Sequence, residues 1–184
     1  MRLRVLDLFS GLGGFSQAFR DRGHYVVAVD INKAMPADII ADVRYLPVRG
    51  RWDVILASPP CTEFSVRAMP WHAWKHPEPP DLGLVHATLQ VIKTLKPRYW
   101  VIENVQGAIR WFKPILGKYR QRCGSRYLWG NFPKFRCIHE KCYGKWRLPP
   151  SESRVAVRSK IPYEISYKLC IAIESAVKHY ISCA

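Results

Sequence analysis

The chain has no apolar run that approaches the ~18 residues a membrane-spanning helix needs, which excludes a transmembrane segment and argues against a membrane partner. It has no internal repeat and no low-complexity tract, so a solenoid and a disordered linker are excluded as well. Its six cysteines, Cys61, Cys123, Cys137, Cys142, Cys170 and Cys183, follow no regular framework, and the first residues, MRLRVLDLFSG, run directly into a strand pattern without a leader. Those two features predict a cytoplasmic protein with reduced thiols. Acids are scarce, with 14 Asp and Glu against 29 Lys and Arg, a net charge of +15. Such an excess of cations points to a polyanionic partner, most simply nucleic acid.

At 184 residues the chain is long enough for one domain with a substantial core and too short for two. Its first hundred residues alternate strand and helix patterns. LRVLDLF (3–9), YVVAVD (25–30), WDVILA (52–57) and RYWVIENV (98–105) read as buried strands. FSQAFRDRG (15–23) and LVHATLQVIKTLK (84–96) read as amphipathic helices, and a short element precedes Asp42. This alternation predicts an α/β fold with a doubly wound, mostly parallel sheet covered on both faces. Ligands in such sheets bind beyond the carboxyl ends of the strands. Asp7, Asp30, Cys61 and Glu103 all fall at or just past those ends.

The scarcity of acids is concentrated in one place. Residues 110–160 hold 14 Lys and Arg against two acids, Glu140 and Glu152, and so carry +12 of the +15. Trp111, Tyr119, Tyr127, Trp129, Phe132, Phe135, Tyr143 and Trp146 are interleaved with them. Cations pair with phosphates and aromatic faces stack on unpaired bases, although some of these rings are also expected to form a small core beneath the basic face. The final segment, 161–180, has apolar spacing for a terminal helix that starts near Pro162, with Cys170 on its apolar face and Cys183 in the exposed tail.

FSGLGG (9–14) follows a strand and opens a helix, where backbone amides approach a ligand closely. A dinucleotide fingerprint would need a third glycine where Ser16 stands, so this loop alone is also compatible with a plain tight turn. Asp30 has the position of a ribose-binding acid, and Asp42 reads equally as a ligand to an adenine amino group or as a loop aspartate. In ASPPCTEFS (57–65) two prolines end the strand abruptly and hold Cys61 on a stiff corner, a placement that suits a nucleophile. VIENV (101–105) places Glu103 at the end of an apolar strand, where burial would raise its pKa and let it donate a proton near neutral pH; capping of the next turn is the structural alternative.

DLFSGLGGFSQAF, ASPPCTEFS and VIENVQG, in that order, resemble the cofactor loop, nucleophile loop and glutamate motif of the cytosine-5 DNA methyltransferases, and IPYEISYKLCIAIESA resembles that family's last helical motif. The resemblance covers the first hundred-odd residues and the last twenty. It implies a Rossmann-like methyltransferase fold and S-adenosylmethionine as cofactor, with S-adenosylhomocysteine as product. It implies Cys61 as the nucleophile that adds to carbon 6 of cytosine, aimed by Pro60, and Glu103 as the group that holds or protonates ring nitrogen 3. It further implies that Phe9 stacks on the cofactor adenine, that Asp30 binds the ribose and Asp42 the adenine amino group, and that the loop at Ser10, Gly11, Gly13 and Gly14 meets the methionine end, with Asp7, Ile31 and Pro59 completing the cofactor site.

The family also carries a Gln-x-Arg-x-Arg strand and a sizeable target-recognition domain, and neither stands here in clean form. QRCGSRY (121–127) is the nearest stretch, with Arg122 and Arg126 as candidates and Arg154 or Arg158 as alternatives. YLWGNFPKF (127–135) resembles short phage-like members. Arg122, Arg126, Lys134, Arg136, Arg154 and Arg158 are the expected nucleic-acid contacts. Cys137, His139 and Cys142 lack a usual chelating spacing and a clean fourth ligand, so no metal is assigned. The expected organisation is a cofactor-binding and catalytic core over 1–109, a recognition segment over 110–160 and a returning helix over 161–184. The function so predicted is methylation of carbon 5 of cytosine in DNA, as in restriction-modification, with an accessory recognition partner possible. A tRNA-acting enzyme, a catalytically silent nucleic-acid-binding relative and a nicotinamide-dependent oxidoreductase are the rival readings.

Overall fold

The computed structural model describes residues 1–67, 78–137 and 160–182. Its centre is a seven-stranded sheet built from β1 (Arg4–Leu8), β2 (Tyr25–Asp30), β3 (Ile39–Ile40), β4 (Val54–Ala57), β5 (Tyr99–Val105), β6 (Gln121–Cys123) and β7 (Arg126–Asn131), in the order β3-β2-β1-β4-β5-β7-β6. The first five strands run parallel, and β7 enters antiparallel beside β5, with β6 folded back on it. The helices are α1 (Gln17–Asp21), α2 (Thr62–Arg67), α3 (Gly83–Leu95), α4 (Ile109–Leu116) and α5 (Tyr163–Ser182).

Alternation along the strands supplies both faces of the sheet with core. Val5, Val54, Leu56 and Val101 point to one side, where Phe15, Phe19, Ile165, Leu169 and Ile173 cover them. Leu6, Leu8, Ile55, Ala57 and Ile102 point to the other, against Val85, Ile92, Phe112 and Trp129. The apolar stripe of α5, Ile165, Leu169, Ile173 and Val177, recurs every fourth residue and is buried throughout. Each such side chain contributes about 1.5–3 kcal/mol when fully removed from water. Ser166 fixes the docking of this helix, since its hydroxyl donates to the Phe15 carbonyl (2.6 Å) and accepts from the Ala18 amide (3.2 Å).

The change of composition at residue 110 is not an edge of the sheet. Residues 109–131 supply α4, β6 and β7, and Tyr127, Leu128, Trp129 and Phe132 are buried in the core. These rings therefore serve the structural role that some of the aromatics were expected to have. Tyr143, Trp146, His139, Cys142, Arg154, Arg158 and Cys183 lie outside the described residues. The expectation of reduced thiols requires a correction. The turn after β6 and the chain after β7 bring Cys123 and Cys137 to a Cα separation of 5.4 Å, and the two are joined as a disulfide. Cys170 is buried as expected, and burial pushes its thiol up to about 12, which makes it inert as a nucleophile.

Candidate active site

Two loops, after β1 and β4, and a residue near the carboxyl end of β5 lie at the same edge of the sheet. The first leaves β1 through Phe9, a non-glycine residue at φ 58°, a conformation that side chains seldom adopt and that clusters at functional sites. Gly11 and Gly13 continue in the same left-handed region, at φ 51° and 72°. The Ser10 amide donates to the Val29 carbonyl (3.0 Å) and the Gly11 amide to the Asp30 carboxylate (2.8 Å), so β2 holds the loop in shape. Asp30 also accepts the Asn32 amide (2.9 Å). Gly14 abuts the chain just before α5: a Cβ there would lie 2.5 Å from the Ile161 carbonyl oxygen and 2.7 Å from Lys160 Cγ.

Beneath the loop, Asp7 is fully buried. One of its carboxyl oxygens accepts the Ser16 hydroxyl (2.5 Å), and Oδ1 has no partner. Burial raises its pKa to about 7, with the Ser16 hydrogen bond opposing. The hydroxyls of Ser10 and Ser58 are buried without hydrogen-bond partners, and both residues line the small cavity between Phe9, Gly14, Lys160 and Ile161. Two buried polar side chains without good hydrogen bonds beside one small cavity are what a polar ligand there would satisfy.

The second loop follows β4. Ser58 donates its amide to the Leu8 carbonyl (3.2 Å), Pro59 is buried, Pro60 is exposed, and Cys61 is half-buried at the start of α2 with a free thiol. The corner is fastened from β5, because the Asn104 side-chain amide donates to the Pro59 carbonyl (3.0 Å) in a fully buried bond.

The third element is Glu103, 4% exposed on β5. In the β5–β7 register Glu103 faces Leu128 and Val105 faces Arg126, so Arg126 is a diagonal neighbour on the face that Glu103 occupies. Its guanidinium donates to Glu103 Oε1 (3.2 Å) and to the Lys160 carbonyl (3.2 Å). Burial holds the Glu103 carboxyl above the usual range, and the Arg126 charge and hydrogen bond oppose that rise. The Ser58 hydroxyl lies close enough to lower it slightly, without reaching good hydrogen-bond geometry.

Cys61, Glu103, Pro59 and the glycine loop thus share one edge, as their sequence positions predict. Of the two arginine candidates in QRCGSRY, Arg126 stands against Glu103, whereas Arg122 turns to the Gly124 carbonyl (2.8 Å) and the Tyr127 ring. Asp42 caps a short 3-10 turn: its carboxylate accepts the Arg44 amide (2.9 Å) and pairs with the Arg44 guanidinium (2.6 Å), which holds its pKa below the usual range. Ile31 is 65% exposed. Asn104, Ser58 and Lys160 were not singled out from the sequence; only Asn104, adjacent to Glu103, carried a signal there.

Among the described residues one group could ligate a metal, His24, Cys170 and Glu174. It is already satisfied otherwise. His24 Nδ1 accepts the Leu3 amide (3.2 Å), which leaves the proton on Nε2 toward Glu174 (2.9 Å), and Arg22 grips the same carboxylate with two bonds.

The sequence model of the C-5 cytosine-specific DNA methylases matches residues 3–113, which contain the glycine loop, Cys61 and Glu103. The chain belongs to that family. The type II methyltransferase M1.HphI of Haemophilus parahaemolyticus is 29% identical over 147 residues, 69% of this chain and 38% of that protein. M.XorII of Xanthomonas oryzae pv. oryzae is 31% identical over 140 residues, 63% of this chain and 30% of its own length. The chain therefore spans about a third of the length of the curated relatives it matches. Among solved structures, the methyltransferase EhMeth of Entamoeba histolytica superposes with a TM-score of 0.50 at 17% identity, covering 77% of this chain and 57% of that one; the likeness is one of fold.

Proposed function

We propose that the protein methylates carbon 5 of cytosine in DNA through a covalent adduct on Cys61. The observation that carries the reading is the convergence of Cys61, on a corner fastened by Asn104, with the buried Glu103–Arg126 pair. Carbon 5 of cytosine is a poor nucleophile. A Cys61 thiolate that adds to carbon 6 pushes the ring electrons toward carbon 5. Glu103, whose carboxyl burial holds above the usual range, donates to ring nitrogen 3 and so draws electrons in the direction the addition needs. Arg126 keeps the carboxyl oriented and presents further donors to the pyrimidine carbonyl. S-adenosylmethionine supplies the methyl group when bound and leaves as S-adenosylhomocysteine. Loss of the carbon-5 proton to solvent then returns the electron pair to the ring, ring nitrogen 3 gives its proton back to Glu103, and the Cys61 thiolate is expelled. The base must leave the duplex to reach this recessed edge.

The residues present fit the cofactor. Phe9 offers a ring, the loop at Ser10, Gly11, Gly13 and Gly14 offers backbone and an orphaned hydroxyl, and Ser58 beside Pro59 offers a second. Asp30 would take the ribose and Ile31 pack beside it, while Asp7 supports the loop from below. Asp42 would reach the adenine amino group only by releasing Arg44. The enclosed space is about 60 Å³, well under the ~300–1,000 Å³ of typical ligand pockets, so its lining, which includes the Lys160 side chain, would have to open for entry. In this reading residues 1–109 carry cofactor and chemistry, the basic residues of 110–160 approach the nucleic acid, and 161–184 close the cofactor site. A cytoplasmic setting and restriction-modification context accord with the relatives.

The test is transfer of labelled methyl to duplex DNA, single-stranded DNA and tRNA, beside Cys61→Ala. Label on carbon 5 of cytosine in duplex DNA that vanishes in the variant is the expected result. Label on tRNA alone would move the substrate to RNA, and no label on any polymer would refute catalysis by this chain.

A further inference from the structure

We infer that a groove along β6, the edge strand among the described residues, between it and the chain that follows β7, seats the phosphate backbone of the duplex beside the target base. The inference rests on the DNA methyltransferase reading and assigns its backbone-binding surface. The groove, about 350 Å³, is lined by Arg120, Arg122 and Lys134, with Gln121 and Phe135 in its wall. All three cations are exposed, and none forms an ion pair with a described residue. Residues 104–137, which supply the whole lining, contain no Asp or Glu. Like charges gathered around one hollow repel one another unless an anion fills it.

Two of the three are also held in place. Arg120 Nε donates to the Phe132 carbonyl (2.5 Å) and Arg122 Nε to the Gly124 carbonyl (2.8 Å). Both arginines are thus anchored to neutral backbone through one nitrogen, with their charge uncompensated and further donors left for phosphate oxygens. Gln121 donates to the Phe135 carbonyl (2.8 Å) and accepts the Phe135 amide (3.2 Å), which ties β6 to the chain after β7. The location fits the role. β6 lies two strands from β5, about 10 Å at ~4.8 Å per strand, and its Arg122 end is on the edge where Glu103 stands. An offset of that size is within the reach of a strand flanking an extruded base. Arg126, by contrast, belongs to Glu103 and not to this groove.

The experiment measures the affinity of the full chain for a short duplex as a function of salt. The wild type is compared with Arg120→Ala/Arg122→Ala/Lys134→Ala and with Arg122→Glu/Lys134→Glu, the latter keeping the Arg120 anchor. A cofactor-dependent rise in Tm in each variant shows that the fold and cofactor site persist. The expected result is a weaker Kd for every sequence alike and a salt slope reduced by about 1 per cation removed. Unchanged slopes in both variants overturn the groove, and if the wild type still methylates DNA the methyltransferase reading stands without it. A lowered slope with no methyl transfer to any polymer keeps the groove and removes the catalytic reading. A phosphate-dependent rise in Tm that both variants lose, with duplex affinity and salt slope unchanged, would make this a free-anion site and overturn the assignment to a nucleic-acid backbone.

Discussion

Replacing Asp7 by asparagine should change how stability depends on pH. The native Asp7 carboxyl has its pKa raised from 3.8 to about 7 by burial, and one of its oxygens has no partner. Between those two values the native state binds more protons than the unfolded chain, so this group's contribution is fully present below pH 3.8 and is lost as pH rises through about 7. At 1.36 kcal/mol per unit, the loss between pH 5 and pH 8 is about 3 kcal/mol. An asparagine side chain has the shape of the neutral form and does not ionise. The assay is urea denaturation at pH 5, 6, 7 and 8 for both proteins, with the difference taken at each pH so that other titrating groups cancel. The stability of the Asp7→Asn variant relative to wild type should improve by roughly 3 kcal/mol across that range and level off above pH 7. Parallel curves would show that Asp7 titrates normally and that the buried position described for it is wrong.

Three further outcomes follow from the same geometry. Arg126→Met removes the charge that opposes Glu103's raised pKa, so the alkaline limb of the rate profile should move to higher pH while kcat falls on the order of 10²-fold or more; an unshifted limb would separate the two residues. Gly14→Ala places a Cβ 2.5 Å from the Ile161 carbonyl oxygen and should abolish the cofactor-dependent rise in Tm, whereas a retained rise would show that the chain before α5 is not part of that site. Cys123 and Cys137 should resist alkylation until a reductant is added, read by peptide mass, and free modification of both would refute the disulfide.

The parallel half of the sheet was legible because its strands are nearly unbroken apolar runs: YVVAVD is β2 to the residue, and WDVILA and RYWVIENV contain β4 and β5. The antiparallel pair was not. YLW lies inside a stretch dominated by cations, so the charge masked an apolar core strand, and β6 is only three residues long. The chemistry was legible in part. Prolines and a strand end placed Cys61 and Glu103 on one edge without knowledge of their contacts. Which arginine meets Glu103 depends on the β5–β7 register, a pairing across 23 residues that spacing cannot reveal. Arg44's grip on Asp42, two residues away, likewise depends on the local turn rather than on any motif.

The central claim is covalent attack by Cys61, and trapping tests it most directly. A duplex carrying 5-fluorocytosine at target sites leaves no carbon-5 proton to lose, so the adduct cannot resolve after methyl transfer. With S-adenosylmethionine present, the wild type should form a denaturant-stable complex whose cross-linked peptide contains Cys61, and Cys61→Ala should form none. A complex mapped to another cysteine, or methylated cytosine produced by Cys61→Ala, would contradict the account.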